Sequence, residues 1–531
     1  MQYPKNFQIY SASAGSGKTF TLVKEYLKIL LTSENPFKFQ QILAVTFTNK
    51  AAGEMKERVI QNLKTFSNFE INNMLSIICG ETNLTEDDIF KRSKIILDAI
   101  LQNYGAFNIT TIDSFTHKII RTFAHDLKLP MNFDVEMDSE SLLNEAVDVV
   151  ISKIGESKEL TSLLVNYAIQ KLDEDKSWDI ALELKDFAKI ILNENHSSHL
   201  KSLSSVSTSD FKFLKKRLIN ENEQILEKFN NLGEEGLKTI KENSIENNEF
   251  SHSDLPNHFI KLTNLKKLKP QELNFEGRLN NSIVASKNFY TAKCNAATKK
   301  VIENITEKLT ALYYDSKNLY EEIFGRYVLN TIIIESLIPL AVLNYINTAL
   351  QEIKNENNIL LNAEFNQLIS ETIKDEPAPF IYERLGEKFR YYFLDEMQDT
   401  SQLQWKNLIP LIENALTSED ELGETGQLLL VGDAKQSIYR WRGGNPEQFI
   451  ALSSNEETKK NNPFYVAKEA ASLDKNYRSY SEIIKFNNDF FKHLSSFLSN
   501  KVNSDLYLEG NNQLITQKKG GFVQLSFIEK D

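Results

Sequence analysis

The sequence predicts an α/β fold, a parallel sheet with crossover helices that is interrupted by a large, mainly helical segment. Three observations carry this. Five short apolar runs, at residues 7–10, 42–47, 108–112, 392–394 and 428–431, end in turn-forming or ligand-type residues. Most are followed by helical spacing, as at 20–31 after the first and 51–63 after the second, the alternation of a sheet wound with helices. Between Ile112 and Phe393 the alternation stops, and residues 126–355 are rich in Lys, Glu, Asn and Leu at helical spacing with little strand signal.

A chain of 531 residues exceeds one ordinary domain. The expected division is a first part of the sheet domain at 1–125, a helical insertion at 126–355, a second part of the sheet domain at 356–460, and the beginning of a further α/β domain at 461–531. The Asn/Glu/Ser-rich passage around 242–254 is expected to be loop. The polar run 453–463 reads as a linker, with a new strand–helix unit from near Phe464.

Hydrophobic content of 41% with 25% charged residues describes a soluble globular protein with material for real cores. A formal charge of -12 gives no overall basic footprint, so any nucleic-acid path must be a local groove on an acidic body. The two cysteines, Cys79 and Cys294, lie far apart without neighbours at metal-ligand spacing, which leaves a disulfide framework, a zinc site and a four-cysteine iron–sulfur cluster unsupported. The first residues lack a secretory pattern. The most lipid-like run, 327–346, contains Asn330, Glu335, Pro339 and Asn344, which favours a buried or amphipathic helix over a membrane span. A cytoplasmic protein without membrane association is expected.

The first chemical motif follows the first strand and opens a helix: Ala12-Ser13-Ala14-Gly15-Ser16-Gly17-Lys18-Thr19. It reads as a phosphate-binding loop, with Ala12 where a first glycine is usually drawn. Glycines let the backbone turn so that its N–H groups face phosphates at a helix N-terminus. Lys18 supplies a mobile charge for the β- and γ-phosphates of ATP, and the Thr19 hydroxyl is placed to ligate Mg²⁺. The second motif is an apolar strand ending in carboxylates, from Tyr391 through Asp395, Glu396 and Asp399. A buried parallel strand delivers its last side chains to the sheet's C-terminal edge, where ligands of α/β folds sit. Asp395 can hold Mg²⁺ through a water, and Glu396 can orient and polarise an attacking water. A solvated acidic turn is the alternative for that motif taken alone; the phosphate loop in the right order upstream argues for an ATPase.

Three further segments narrow the class. They are the stretch 428–443, reading LLLVGDAKQSIYRWRG, the stretch 45–52, reading VTFTNKAA, and the stretch 473–479, reading LDKNYRS. With the phosphate loop and the Asp-Glu-x-Gln-Asp box, they resemble, in order and spacing, the motifs of the UvrD/Rep family of superfamily 1 DNA helicases. The resemblance implies two RecA-like domains, the second only begun here, with a helical domain inserted in the first. It implies that Gln436 senses the γ-phosphate, that Arg478 touches it from the second domain, and that Tyr477 stacks near adenine. Tyr439, Trp441 and Arg442 would line a single-stranded DNA path, and Thr46 with Phe47 would contact its backbone and bases. Aromatic faces stack on any base, which suits a sequence-tolerant grip; the alternative for Tyr439 and Trp441 is core packing on a strand. Residues 110–115 resemble a further DNA motif of the family, with Asp113 where the family typically has His and with Ser114 and Phe115 as weak candidates.

The phosphate loop's nearness to the N-terminus, the large helical segment and a strand expected at 520–523 resemble the RecB/AddA branch. That resemblance implies an ATP-dependent 3′-to-5′ single-stranded DNA translocase or helicase in repair or recombination. It would act on single strands and single/double-strand junctions and could have a helicase–nuclease partner subunit. Because family members continue with the rest of the second motor domain, this chain is expected to be an N-terminal portion that binds ATP, hydrolyses it poorly and does not unwind duplex alone. Two other readings stay open: an ATP-binding, DNA-associated scaffold or partner subunit without motor activity, and a different P-loop enzyme such as a small-molecule kinase. The basic clusters at 212–217 and 261–269 read as solvated helix faces.

Overall fold

The computed structural model describes residues 6–528 apart from 128, 131, 137, 174–176, 269–271, 376–384, 386–387, 421–422, 455–460, 509 and 511. Lys269 and most of the polar linker fall outside the described residues. The chain divides into two compact units, one comprising Met1–Ser139, Leu192–His196 and Lys354–Asp531, the other Glu140–Ile191 and Ser197–Ile353.

The first unit is built on ten strands among the described residues: β1 (Phe7–Ala12), β2 (Ile42–Thr46), β3 (Ile109–Thr111), β4 (Asp134–Glu136), β5 (Ile359–Leu361), β6 (Tyr391–Leu394), β7 (Gln427–Gly432), β8 (Lys468–Leu473), β9 (Lys475–Asn476) and β10 (Leu514–Ile515). Six form one parallel sheet in the order β3-β2-β6-β7-β1-β8. β4 pairs with β5 and β9 with β10, each pair parallel. All five apolar runs read as strands lie in the six-stranded sheet.

Strand residues alternate between two buried faces, as the period of two requires. Phe7, Ile9, Leu43, Val45, Tyr392, Leu394, Leu428 and Leu430 join a core with Ile112, Phe115, Trp405 and Ile412. Ile42, Ala44, Tyr391, Phe393, Leu429 and Val431 join another with Val23, Tyr26, Leu27, Val59 and Leu63. The latter come from α1 (Lys18–Thr32) and α2 (Asn49–Ser67). A sheet covered on both faces reads as continuous apolar runs, which is why these strands are visible in the sequence.

Two expectations shift. The strand after Phe464 does not open a new sheet: β8 pairs with β1 throughout, from Phe7 with Lys468 to Ala12 with Leu473, and the next pairing begins only at β9. Residues 520–523 are not a strand. The carbonyls of Lys518 and Gly520 instead accept from the N–H groups of Ser481 and Glu482, at the start of the helix Ser481–Ser495 (2.9 and 3.0 Å), which leaves this stretch without ladder pairing.

The second unit is helical. Its longest uninterrupted α-helix, Thr208–Glu242, starts at a reciprocal cap in which Ser207 accepts from the Asp210 backbone and Asp210 from that of Ser207. One core gathers Phe229, Phe259, Phe275, Tyr313 and Phe324, and another gathers Leu163, Phe211, Leu218, Leu337 and Ala341. The helix Ala296–Asn357 is the one, among the described residues, long and apolar enough by length and composition to cross a membrane. Within it, Leu337 and Ala341 pack on Leu163, Phe211 and Leu218 of the same unit. The passage around 242–254 contains two short 3-10 turns, Asn247–Glu249 and Ser251–Ser253.

Candidate nucleotide site and nucleic-acid track

Every residue singled out in the first unit lies at or just beyond the C-terminal end of a strand of the six-stranded sheet. Three ends in a row, those of β6, β7 and β1, carry the residues expected to handle phosphate. After β1 the chain turns through Ser13 and Ala14, with the Ser16 N–H donating to the Ser13 carbonyl (3.1 Å), and Gly17 takes φ 90° as it enters α1. A side chain would be strained at that φ, so glycine is the residue that admits this turn. No acidic residue occupies the first turn of α1, so its unpaired N–H groups and positive dipole end favour an anion. The Ser16 hydroxyl is buried without a protein partner among the described residues. Lys18 and Thr19 are the first two residues of the helix, both half-buried.

Beyond β6, the Asp395 N–H donates to the Val45 carbonyl (2.8 Å), and Glu396 adopts left-handed backbone angles (φ 53°, ψ 45°). A non-glycine residue there costs on the order of 1–3 kcal/mol and needs its surroundings to hold it. They do. Lys18 Nζ donates to both Glu396 carboxylate oxygens at 2.9 Å and lies 3.5 Å from Gln436 Oε1. Gln398 Nε2 donates to Glu396 Oε2 (2.6 Å), while Gln398 Oε1 accepts from the Asp433 N–H (2.9 Å). Gln436 Nε2 donates to Asp433 Oδ2 (2.6 Å). A Cβ on Gly432 would come within 2.7 Å of Gln398 Oε1, so glycine leaves room for this network.

Negative charge is concentrated here. Burial, then the neighbouring Glu396, push the Asp395 carboxyl up to about 7 against the opposing pull of Lys18. The same two causes push Asp399 up to about 6. A bound cation would relieve both. No group of three or more His, Cys, Asp or Glu side chains able to hold a metal occurs among the described residues. The Thr19 hydroxyl and the Asp395 carboxylate are few donors, which suits a magnesium ion that would keep waters and share a nucleotide's phosphates.

The chain after β8 closes over the phosphate loop. The Tyr477 N–H donates to the Gly15 carbonyl (2.8 Å), and Asn476 Nδ2 and Gln513 Nε2 both donate to the Ala14 carbonyl (3.3 and 3.1 Å). Asn476 Oδ1 accepts from the N–H groups of Arg478 and Ser479, both 2.9 Å. A Cβ on Gly15 would meet the Arg478 Cβ at 2.8 Å, and one on Gly17 would meet the Tyr477 ring at 3.8 Å. Tyr477 and Arg478 are thus brought to the loop with both side chains exposed.

The track lies toward the other side of the sheet. Thr46 ends β2, buried, with its hydroxyl unpartnered among the described residues. Phe47 stacks obliquely on Tyr439 (centroids 4.3 Å, 32°), and Tyr439 lies 6.3 Å from Trp441. The Arg442 guanidinium sits over both the Phe47 and Trp441 rings, at 5.4 and 5.9 Å. Residues 440–442 form a 3-10 turn, not a strand, and Trp441 is 73% exposed, so it does not pack in the core. Ser114 is exposed, and Phe115 is buried in a sheet core.

Residues 2–457 match the family described as UvrD/REP helicase N-terminal domain. The chain belongs to that family. Among curated relatives it is similar to an ATP-dependent helicase/nuclease subunit of Clostridium novyi (strain NT), 26% identical over 98% of this chain and 41% of the relative. The Staphylococcus haemolyticus (strain JCSC1435) protein of the same name is 25% identical over 92% and 38%. "Exonuclease/helicase subunit RexA" of Lactococcus lactis subsp. cremoris (strain MG1363) is 24% identical over 92% and 39%. The chain spans about two fifths of the length of these relatives. The names agree with the helicase–nuclease branch to which the motifs point.

Several residues of this family member's site lie in or beside the motifs without having been given a role there: Gln398 in the Asp-Glu-x-Gln-Asp box, Asn476 in the stretch 473–479, and Asp113. Gln398, in the 3-10 turn Met397–Asp399, and Asn476, in β9, are both buried, and each ties two strand ends together. Asp113 pairs with Arg442 across 329 positions (3.4 Å), and Gln404 Nε2 donates to its other oxygen (3.2 Å). Burial pushes the Asp113 carboxyl up, and Arg442 opposes this. The Asp-for-His difference noted in the sequence was the one available signal.

Proposed function

We propose that the chain is the nucleotide-binding portion of an ATP-dependent DNA translocase or helicase of repair or recombination, moving 3′-to-5′ on single strands. Its sheet domain is RecA-like, residues 126–355 are a domain inserted in it, and the residues after β8 begin the second RecA-like domain. One observation carries the reading. Lys18, Glu396 and Gln436 meet within hydrogen-bond distance, and the chain from Gln436 runs within six residues into the Tyr439–Trp441–Arg442 track.

In this reading the backbone N–H groups of residues 13–19 cradle the phosphates of ATP. Lys18 exchanges the Glu396 carboxylate for the β- and γ-phosphates, which frees Glu396 to orient the attacking water and take its proton. Thr19 and Asp395 would hold Mg²⁺, which neutralises phosphate charge. Gln436 reports the γ-phosphate to the track, Arg478 contacts the γ-phosphate, and Tyr477 stacks on adenine. Thr46, Phe47, Tyr439, Trp441 and Arg442 hold single-stranded DNA near single/double-strand junctions. A cytoplasmic location belongs to the same proposal, as does a helicase–nuclease partner subunit, which the relatives' names suggest.

The test is ATP turnover by the full-length protein with and without an unstructured DNA strand. Stimulation by the strand, abolished in Lys18→Ala, is expected. Turnover indifferent to the strand would favour a small-molecule kinase; strand and ATP binding with no turnover would favour a scaffold.

A further inference from the structure

The Asp113–Arg442 pair has a feature that its resemblance to an ordinary surface ion pair conceals. Arg442 is held in the track twice over. Its guanidinium lies over the Phe47 and Trp441 rings, and one nitrogen, Nη2, faces Asp113 Oδ2 at 3.4 Å. That distance is long for a charge-assisted contact, whose usual range is about 2.7–2.9 Å. The guanidinium is thus shared between the two rings and one carboxylate oxygen, and is not clamped by the carboxylate.

Asp113 is itself fixed independently of Arg442. It is the second residue of the helix Ile112–Thr122, whose N-terminus favours an anion. Gln404 Nε2 donates to it while Gln404 Oε1 accepts from the Ser401 N–H (2.9 Å) in the cap of the helix Gln402–Thr417. The Ser401 hydroxyl in turn donates to Glu194 Oε2 (2.9 Å). The side chains of Arg442 and Asp113 keep 45% and 38% of their surface open, so a phosphate can reach the guanidinium only beside a standing negative charge.

We propose that Asp113 is a built-in competitor for the strand: its carboxylate occupies Arg442 in the empty track and must be exchanged for a DNA phosphate when the strand enters. The proposal rests on the reading of this track as a DNA path. Its consequence is a deliberately weakened grip, one that a stepping protein can release. An Asp at this place restrains affinity, whereas a neutral or cationic residue would add to it.

The experiment measures binding of a 5′-labelled oligothymidylate by anisotropy, at low and moderate salt, for wild type, Asp113→Asn, Arg442→Ala and the double variant. Asp113→Ser, which keeps a helix-compatible polar group, serves as a second probe, and thermal unfolding confirms that each variant folds. Asp113→Asn is expected to tighten binding about two- to fivefold, the scale of an exposed ion pair, with a smaller gain at higher salt. In the Arg442→Ala background the gain should vanish. A gain that persists there undiminished would overturn the exchange and leave only general repulsion. Unchanged or weaker binding by folded Asp113→Asn and Asp113→Ser would also overturn it, with the DNA-path reading intact so long as Arg442→Ala weakens binding. If neither wild type nor any variant binds the oligonucleotide, the DNA-path reading and this proposal fall together.

Discussion

The two units bury polar groups in opposite ways. At the sheet edge, Asp395, Glu396 and Asp399 crowd around one lysine, and burial with mutual repulsion holds two of the carboxyls far above their usual range. In the helical unit buried polar groups such as His258, Asn222 and Asn330 have neutral partners. His258 Nε2 pairs with Ser316 Oγ at 2.9 Å, and Asn330 Nδ2 donates to Asn222 Oδ1 at 3.1 Å while Asn222 Nδ2 donates to Thr331 Oγ1 at 3.2 Å. An unbalanced charge is unfavourable unless something arrives to balance it, whereas a matched pair asks for nothing more. The difference separates a cluster whose charges a cation could balance from a core whose polar groups satisfy one another.

The strongest way to break that contrast is at Glu396. Glu396→Gln keeps the shape and one acceptor oxygen for Lys18, and removes the base. ATP hydrolysis by the protein should fall about 100- to 10,000-fold, the range for loss of a general base, while nucleotide binding persists. Phosphate release and nucleotide affinity, measured on the same preparation, check it. Near-normal hydrolysis would mean that the crowded carboxylates are merely structural.

The matched core makes its own prediction, next in size. Burial, reinforced by Lys261, lowers the His258 imidazole from 6.5 to about 4; the rings of Phe259, Phe275 and Tyr313 surround it. The neutral form is favoured in the folded state, so above pH 6.5 folding is unaffected. Between pH 6.5 and about 4 the unfolded chain takes up a proton that the folded chain refuses, and stability falls with pH across that window. The loss amounts to roughly 3 kcal/mol by pH 4. Denaturant unfolding followed from pH 7 to pH 4 should show this slope in wild type and lose most of it in His258→Asn. Equal slopes would mean that His258 is not held neutral.

The same contrast explains what could be read from the sequence. The phosphate loop and the carboxylate strand end were legible because their chemistry demands particular residue types side by side along the chain. The five buried strands were legible because two covered faces demand unbroken apolar runs. β8 was not: reading KEAASL, it is an edge strand with half of its residues exposed and only Ala470 and Leu473 against the cores, so its place comes mainly from hydrogen bonding to β1. The reverse error, a strand expected at 520–523, arose because a Gly-Gly-Phe-Val run says nothing about whether a neighbour is there to pair. Asn476, Gln398 and the Asp113–Arg442 pair depend on distant segments meeting, which no local pattern encodes. His258 gave no signal for the same reason, since Ser316 lies 58 positions away.

Trp441 supplies the smallest test and the one that separates binding from packing most cleanly. In the sequence it could have been an alternating core residue. At 73% exposure, beside Tyr439 and under Arg442, it has little packing to lose. Trp441→Ala should therefore leave thermal stability within about 0.5 kcal/mol of wild type, as for exposed positions generally. Binding of an oligothymidylate should weaken by roughly 1–3 kcal/mol, the worth of one stacked base. Unfolding and anisotropy on one sample give both numbers. A large loss of stability with unchanged binding would place Trp441 among the completed core residues and take the track away from this edge of the sheet. The expected result, binding lost and stability kept, would extend the contrast between the two units from charge to aromatic surface.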